Sequence, residues 1–259
     1  MLTSMVHVNA WKRVLGDGGI DEKQSLCWFD KADIPSRDES LLFAIRSEAV
    51  PCLREFRRKC GYGDAGAGRC RWCQKSQETC SHLVSGCPTF SFTRYLERHD
   101  RVLRALYWKI LGHIGAEREA RWWEQQTPPK VFWNGHKLTW NQSFSVRVRG
   151  NANRPDMVWE KPDGTTLVIE GSVPKDSRVS VMTVQKREKY VPLVRDLRLR
   201  KNGFVDMIPL VIGATGVISK DAVVSLSKQR LGFEVDIGWL QEIATLATIK
   251  FFRYTIGAA

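Results

Sequence analysis

An α/β sandwich preceded by helices and a small metal-held module is the fold class this sequence predicts, and three observations carry it. From residue 131 onward, short strand-like runs give way to a helical stretch and then another apolar run, the order of a sheet with a crossover helix. Upstream, four of the seven cysteines crowd between Cys70 and Cys87 together with His82. Between these regions lies a long stretch with apolar residues at helical spacing.

Taken in order, residues 1–40 hold a glycine-rich patch, GDGGIDEK, and no sustained period, which reads as a linker or the truncated end of something larger. Residues 41–67 form a helical linker: SLLFAIRSEAVPCLREFRRKCG spaces apolar residues helically around Pro51, so two short helices separated by a proline turn are expected. The glycines of GYGDAGAGR let the backbone turn tightly into the module of residues 68–90. Residues 91–127 read as basic helices. In PTFSFTRYLERHDRVLRALYWKILGHI, Tyr95, Leu96, Val102, Leu103, Leu106 and Ile110 make an apolar stripe; a second element, EREARWWEQQ, stops at the paired prolines of TPPK.

Residues 128–235 carry the sheet. VFWNGHKLTW, the strictly alternating SFSVRVRG, DMVWE, a KPDG turn and TTLVIEGSV predict a small antiparallel meander. A helix from about Val179 to Tyr190 follows, and VDMIPLVIGA reads as a fully buried strand. Residues 236–259 are expected to form a C-terminal helix.

Among 259 residues, 43% are hydrophobic and ten are tryptophan, enough apolar material for one sizeable core and against wholesale disorder. Lys and Arg outnumber Asp and Glu by 40 to 28, and the resulting charge of +12 points to a polyanionic partner such as nucleic acid. No run approaches the roughly 18 apolar residues of a spanning helix, and the first residues lack a signal-peptide core, so no membrane partner is expected. An intracellular protein is the default, and for one acting on DNA the expected compartment is nuclear.

In CRWCQKSQETCSHLVSGC the spacing is C-x2-C-x8-H-x4-C, which suits a structural zinc site made by Cys70, Cys73, His82 and Cys87. Such a segment is too short to bury a core of its own, so metal binding would supply its folding free energy, and catalysis at a closed four-ligand site is not expected. Ordinary buried thiols are the plain alternative, and Cys80 could in principle replace a ligand. Arg69, Arg71, Trp72 and Lys75 surround the cluster, cations and one aromatic suited to phosphate contact and base stacking.

A second constellation lies in RPDMVWEKPDGTTLVIEGS, where Asp156 starts one predicted strand and Glu170 ends the next, with thirteen residues between them. The KPDG hairpin would set those strands side by side, and two carboxylates at neighbouring strand ends can share a Mg²⁺ or Mn²⁺ ion that polarises a phosphodiester. A lysine beside the developing charge would help. Position 172 is Ser172, so the candidates are Lys186 and Lys189 on the following helix, Lys186 being preferred. Otherwise Asp156 is a turn residue after Pro155 and Glu170 a solvent-facing strand end.

The ordered set AIRSEAVP, CRWCQKSQETCSHLVSGCP, RHD, RPDMVWE, VIEGSVPKD, QKREKY and PLVIGATG resembles the C-terminal region of non-LTR retrotransposon proteins of the class inserting into ribosomal RNA genes. The likeness covers roughly residues 40 to 230. It implies a PD-(D/E)xK restriction-endonuclease-like core that, with the knuckle, binds and nicks target DNA so that the exposed 3′ hydroxyl primes reverse transcription. An upstream reverse transcriptase and element RNA would be the partners; nothing before residue 40 resembles a polymerase, so the chain is similar to a detached C-terminal piece. The implied zinc ligands are Cys70, Cys73, His82 and Cys87, the implied metal-binding carboxylates Asp156 and Glu170, and the helix lysine Lys186 or Lys189. Glu170 departs from the Asp common in that family, a longer reach by one methylene. Arg98, His99 and Asp100 match the RHD motif after the knuckle, and Arg98 and His99 are taken as nucleic-acid contacts, with a packing role for His99 the alternative. The competing expectation is a non-catalytic zinc-knuckle nucleic-acid-binding protein derived from such an element.

Overall fold

The structure is a computed structural model describing residues 11–53, 69–116, 123–124, 126–145, 152–201 and 203–257. Five strands form one mixed sheet in the order β1 (Lys130–Trp133), β2 (His136–Trp140), β3 (Met157–Glu160), β4 (Thr166–Ser172) and β5 (Val205–Val211). The first four pair antiparallel, whereas β5 runs parallel to β4. A parallel neighbour needs a long crossover, supplied by helix α5 (Val179–Arg200). Turn chemistry sets the hairpins: Asn134 and Gly135 both take positive φ between β1 and β2, and Gly164 does so in KPDG.

The sheet is covered on both sides. Leu138, Met157, Trp159, Leu167, Ile169 and Ile208 face one core, shared with Val102, Leu103, Leu106 and Ile110 of α4 (Arg94–His113) and Leu240 and Ala244 of α8 (Ile237–Ile256). Val158, Val168, Val205 and Met207 face the other, against Tyr190, Leu193, Val194 and Leu197 of α5. This double coverage explains why β4 is buried nearly throughout. It also carries α5 past Pro192 to Arg200, ten residues beyond the expected end at Tyr190. A proline inside a helix costs one backbone hydrogen bond, but the apolar residues after it dock on the sheet and hold the helix together. In β5 Pro209 is tolerated because the strand lies at the sheet edge.

The linker expected over residues 1–40 is corrected where that segment is described. A helical turn at residues 11–15, α1 (Glu22–Cys27) and α2 (Ser36–Arg46) are folded onto the rest of the chain. Ile20 bridges Ser219, the Asp21 amide donates to the Ile218 carbonyl (3.0 Å), and Gln24 donates to the Gln241 side chain (3.0 Å). Trp28 is seated against Gly216, whose φ of +93° and lack of Cβ make room for the indole ring. A helix of six residues shows no period, so tertiary contacts reveal α1 where hydrophobic spacing does not.

A second core joins Trp28, Leu42 and Ile45 to Cys70, Cys80, Leu83, Cys87 and Phe90, and to Phe251 and Phe252 of α8. The cysteine-rich module therefore sits on a hydrophobic base. The second half of the expected helical linker, EREARWWEQQ for the most part, and most of SFSVRVRG lie outside the described residues. Among the described residues no helix is long and apolar enough to cross a membrane.

Helix α4 crosses β4 closely at Gly171, where a Cβ would stand 2.9 Å from Leu103 Cγ, Cδ1 and Cδ2. Gly171→Ala should therefore overpack this contact and lower stability by about 1–3 kcal/mol, measured by urea denaturation.

Candidate functional site

The metal cluster is assembled by a turn followed by a short helix. Around Cys70-Arg71-Trp72-Cys73 the chain folds back so that the Gln74 amide donates to the Cys70 carbonyl (2.8 Å) and the Cys70 amide to the Ser76 carbonyl (2.7 Å), with Gln74 at positive φ. Thr79 then caps α3 (Cys80–Ser85), its hydroxyl accepting from the His82 amide at 3.0 Å, and Cys87 follows the helix. The ligand atoms of Cys70, Cys73, His82 and Cys87 all lie within 4.8 Å of one another. Cys70 Sγ is 3.9 Å from Cys87 Sγ, and Cys73 Sγ is 3.4 Å from His82 Nε2. Tetrahedral zinc with bonds of about 2.3 Å to sulfur and about 2.0 Å to nitrogen sets such pairs roughly 3.5–3.8 Å apart, so the cluster could hold a zinc ion. Burial keeps the His82 imidazole below its ordinary value, favouring the neutral form a metal needs. Burial opposes ionisation of Cys73, but the Lys75 and Ser76 amides outweigh it and lower the thiol. Cys80 stands apart, its thiol directed to the Ile45 carbonyl at 3.7 Å.

Beneath the turn lies Glu78, fully buried, which sequence reasoning passes over. Its carboxylate accepts from the Arg71 guanidinium (2.6 Å) and from the amides of Leu53 and Arg71 (both 3.0 Å). Burial would raise the carboxyl, yet Arg71 and the two amides hold it below the usual range. Arg71 is thus tied down by Glu78 although its side chain is partly exposed, and Arg69 and Lys75 are exposed beside it. Trp72, expected as a stacking platform, is partly buried with its ring against Phe90 (5.4 Å) and stacked on Tyr254 (5.9 Å, 24°).

Asp156, just before β3, and Glu170, on β4, come together because the antiparallel register pairs Met157 with Ile169. The Asp156 amide donates to Glu170 Oε2 at 3.2 Å. From α5, one turn apart on the helix, Lys186 Nζ reaches Glu170 Oε1 at 2.7 Å and Lys189 Nζ the same oxygen at 3.1 Å. Lys186 is 16% exposed and Lys189 48%, so the first is held within the site and the second at its mouth.

From α4, His99 joins this group rather than facing solvent. Its Nε2 is 3.2 Å from Asp156 Oδ2, its Nδ1 2.9 Å from Asp100 Oδ1, and the Gly171 amide donates to the same Asp156 oxygen at 2.8 Å. Burial alone would lower the imidazole, but Asp100 and Asp156 prevail and raise it to about 9, so it bears a proton on both nitrogens at neutral pH. Burial likewise opposes the charge of Asp156, and His99, the Gly171 amide and Lys186 outweigh it, holding the carboxyl below its ordinary value.

No protein-family model matches the chain, and no curated protein matches it either.

Arg98, expected among the nucleic-acid contacts, is 2% exposed and points inward. Its guanidinium donates to the Val84 carbonyl (2.8 Å) at the end of α3 and to the Val173 carbonyl (2.9 Å) just past β4. Burial draws it down to about 10, with Tyr95 and Asp176 opposing, so it stays charged at neutral pH. The reason is geometric: the face of α4 that carries Val102 and Tyr95 also carries Arg98, and the last carbonyls of a short helix need donors. Tyr95 serves the same end, its hydroxyl donating to the Leu83 carbonyl at 2.6 Å. Lys175 completes the junction by donating to Ser81 at 3.0 Å.

Proposed function

We propose that this chain is a metal-dependent DNA endonuclease of the PD-(D/E)xK kind, related to the C-terminal region of a non-LTR retrotransposon protein, and that it nicks target DNA for target-primed reverse transcription. The observation that supports the reading best is the convergence of Asp156, Glu170 and Lys186 from three elements on one spot. Two carboxylates, with water and a substrate phosphate completing the shell, are the donor set a Mg²⁺ or Mn²⁺ ion accepts. When bound, such an ion supplies Lewis-acid polarisation of the phosphodiester. The protein's own groups do the rest. Glu170 and Asp156 present their carboxylates beside the backbone to be cut, Lys186 is aimed to offset negative charge developing on the phosphorus oxygens, and Lys189 at the mouth meets the incoming phosphate. Arg69 and Lys75 on the zinc knuckle add a basic contact to the duplex, in keeping with the net charge of +12. In this reading the protein works in the nucleus, with element RNA and a reverse transcriptase as partners.

Purified protein should relax supercoiled plasmid in Mg²⁺ or Mn²⁺. Asp156→Asn should abolish nicking while leaving DNA retention in a gel-shift assay unchanged, and Lys186→Met should slow it by roughly 10²–10³-fold. Wild-type nicking by Asp156→Asn would overturn the proposal. Tight DNA binding without nicking by the wild-type chain in either ion would favour a non-catalytic binding protein instead.

A further inference from the structure

The carboxylate of Asp156 has one oxygen occupied and one to spare. Oδ2 accepts from both His99 Nε2 (3.2 Å) and the Gly171 amide (2.8 Å), whereas among the described residues no donor reaches Oδ1. Two donors converging on a single oxygen fix the plane of the carboxylate, and so fix where the other oxygen points. A backbone amide on β4 cannot be adjusted by evolution of a side chain; the imidazole can.

We propose that His99 is a positioning residue: its Nε2–H locks Asp156 so that Oδ1 is presented to the divalent ion shared with Glu170. The inference rests on the nuclease reading above. His99 is itself held from behind. Its Nδ1 is tied to Asp100, and the preceding residue, Arg98, clamps that turn of α4 between the Val84 and Val173 carbonyls. The donor therefore stands on a rigid element anchored three residues beyond Glu170, so that it moves with the two strands rather than independently of them. Outer partners of this sort orient metal-ligating carboxylates, and their loss typically weakens metal affinity about 10–100-fold.

The experiment is Mn²⁺ binding by the full chain without DNA, followed by loss of the free-ion EPR signal, alongside plasmid nicking at limiting Mn²⁺ and a thermal melt of each variant. His99→Ala should weaken Mn²⁺ binding by about 10–100-fold and slow nicking in proportion. His99→Gln, whose amide nitrogen can occupy the place of Nε2, should recover most of both. Asp100→Asn, changed at the helix surface, should give a smaller weakening in the same direction, and it carries the test together with the glutamine variant if the alanine protein does not fold. Wild-type Mn²⁺ affinity in both His99→Ala and Asp100→Asn would overturn the proposal. So would a folded His99→Gln protein no better than the alanine variant, since a shared hydrogen bond would then not be the role. Asp156→Ala is the separate arm: if it binds Mn²⁺ and nicks as the wild type does, it is the nuclease reading that has failed.

Discussion

Replacing Cys70 by serine should strip the knuckle of its zinc and melt the segment from Arg69 to Cys87. Structural zinc contributes apparent binding energies of about 10–16 kcal/mol in small zinc modules, and those modules are unfolded without it. Here the ligand turn is otherwise held by two backbone hydrogen bonds, the half-exposed Arg71–Glu78 pair and the apolar base under Cys70 and Cys87. Wild-type protein should release one zinc per chain to a colorimetric chelator after denaturation, and the serine variant none, with fast amide exchange across the module. Cys80→Ser makes the contrast, because that thiol faces the Ile45 carbonyl and should leave zinc content unchanged. Equal zinc in the Cys70 variant and the wild type would show that the ion, if held at all, is held elsewhere.

The second large effect should come from Arg98→Met, which keeps the length and apolar stem of the side chain and removes its donors. Two buried carbonyls, those of Val84 and Val173, are then left without their guanidinium partner. At about 1–3 kcal/mol for each orphaned group, the variant should lose roughly 2–6 kcal/mol of stability, a large share of what a domain of this size has to spare. Urea denaturation would measure it. A change below about 1 kcal/mol would mean that water reaches both carbonyls once the guanidinium is gone.

These two residues also show how far the sequence can be read. The cysteines and His82 are identifiable because metal geometry limits the spacing of ligands, and β3 and β4 because the KPDG turn bounds apolar runs, whereas the run VFWNGHKLTW, read as one strand, is a hairpin turning at Asn134-Gly135 into β1 and β2. The meeting of Asp156 and Glu170 follows from the KPDG hairpin. Arg98 was not readable: in RYLERHDR it is one cation among several, and only the placement of α4 between α3 and β4 makes it an interior residue. His99 stands out in the sequence by its motif and reads as a nucleic-acid contact, since nothing in local spacing brings it to a carboxylate 57 residues away. Glu78 and the six-residue helix α1 left no periodic signal, and their partners are distant in the chain.

Helix α8 belongs to both hydrophobic clusters, Leu240 and Ala244 to the one under the sheet and Phe251 and Phe252 to the one under the knuckle. A rod shared between two cores ties their fates: neither half can be exposed to water without fraying the support of the other. With zinc in place the chain is therefore suited to unfold in a single cooperative step, with the slowest-exchanging amides of the knuckle and of the sheet reporting one common opening energy.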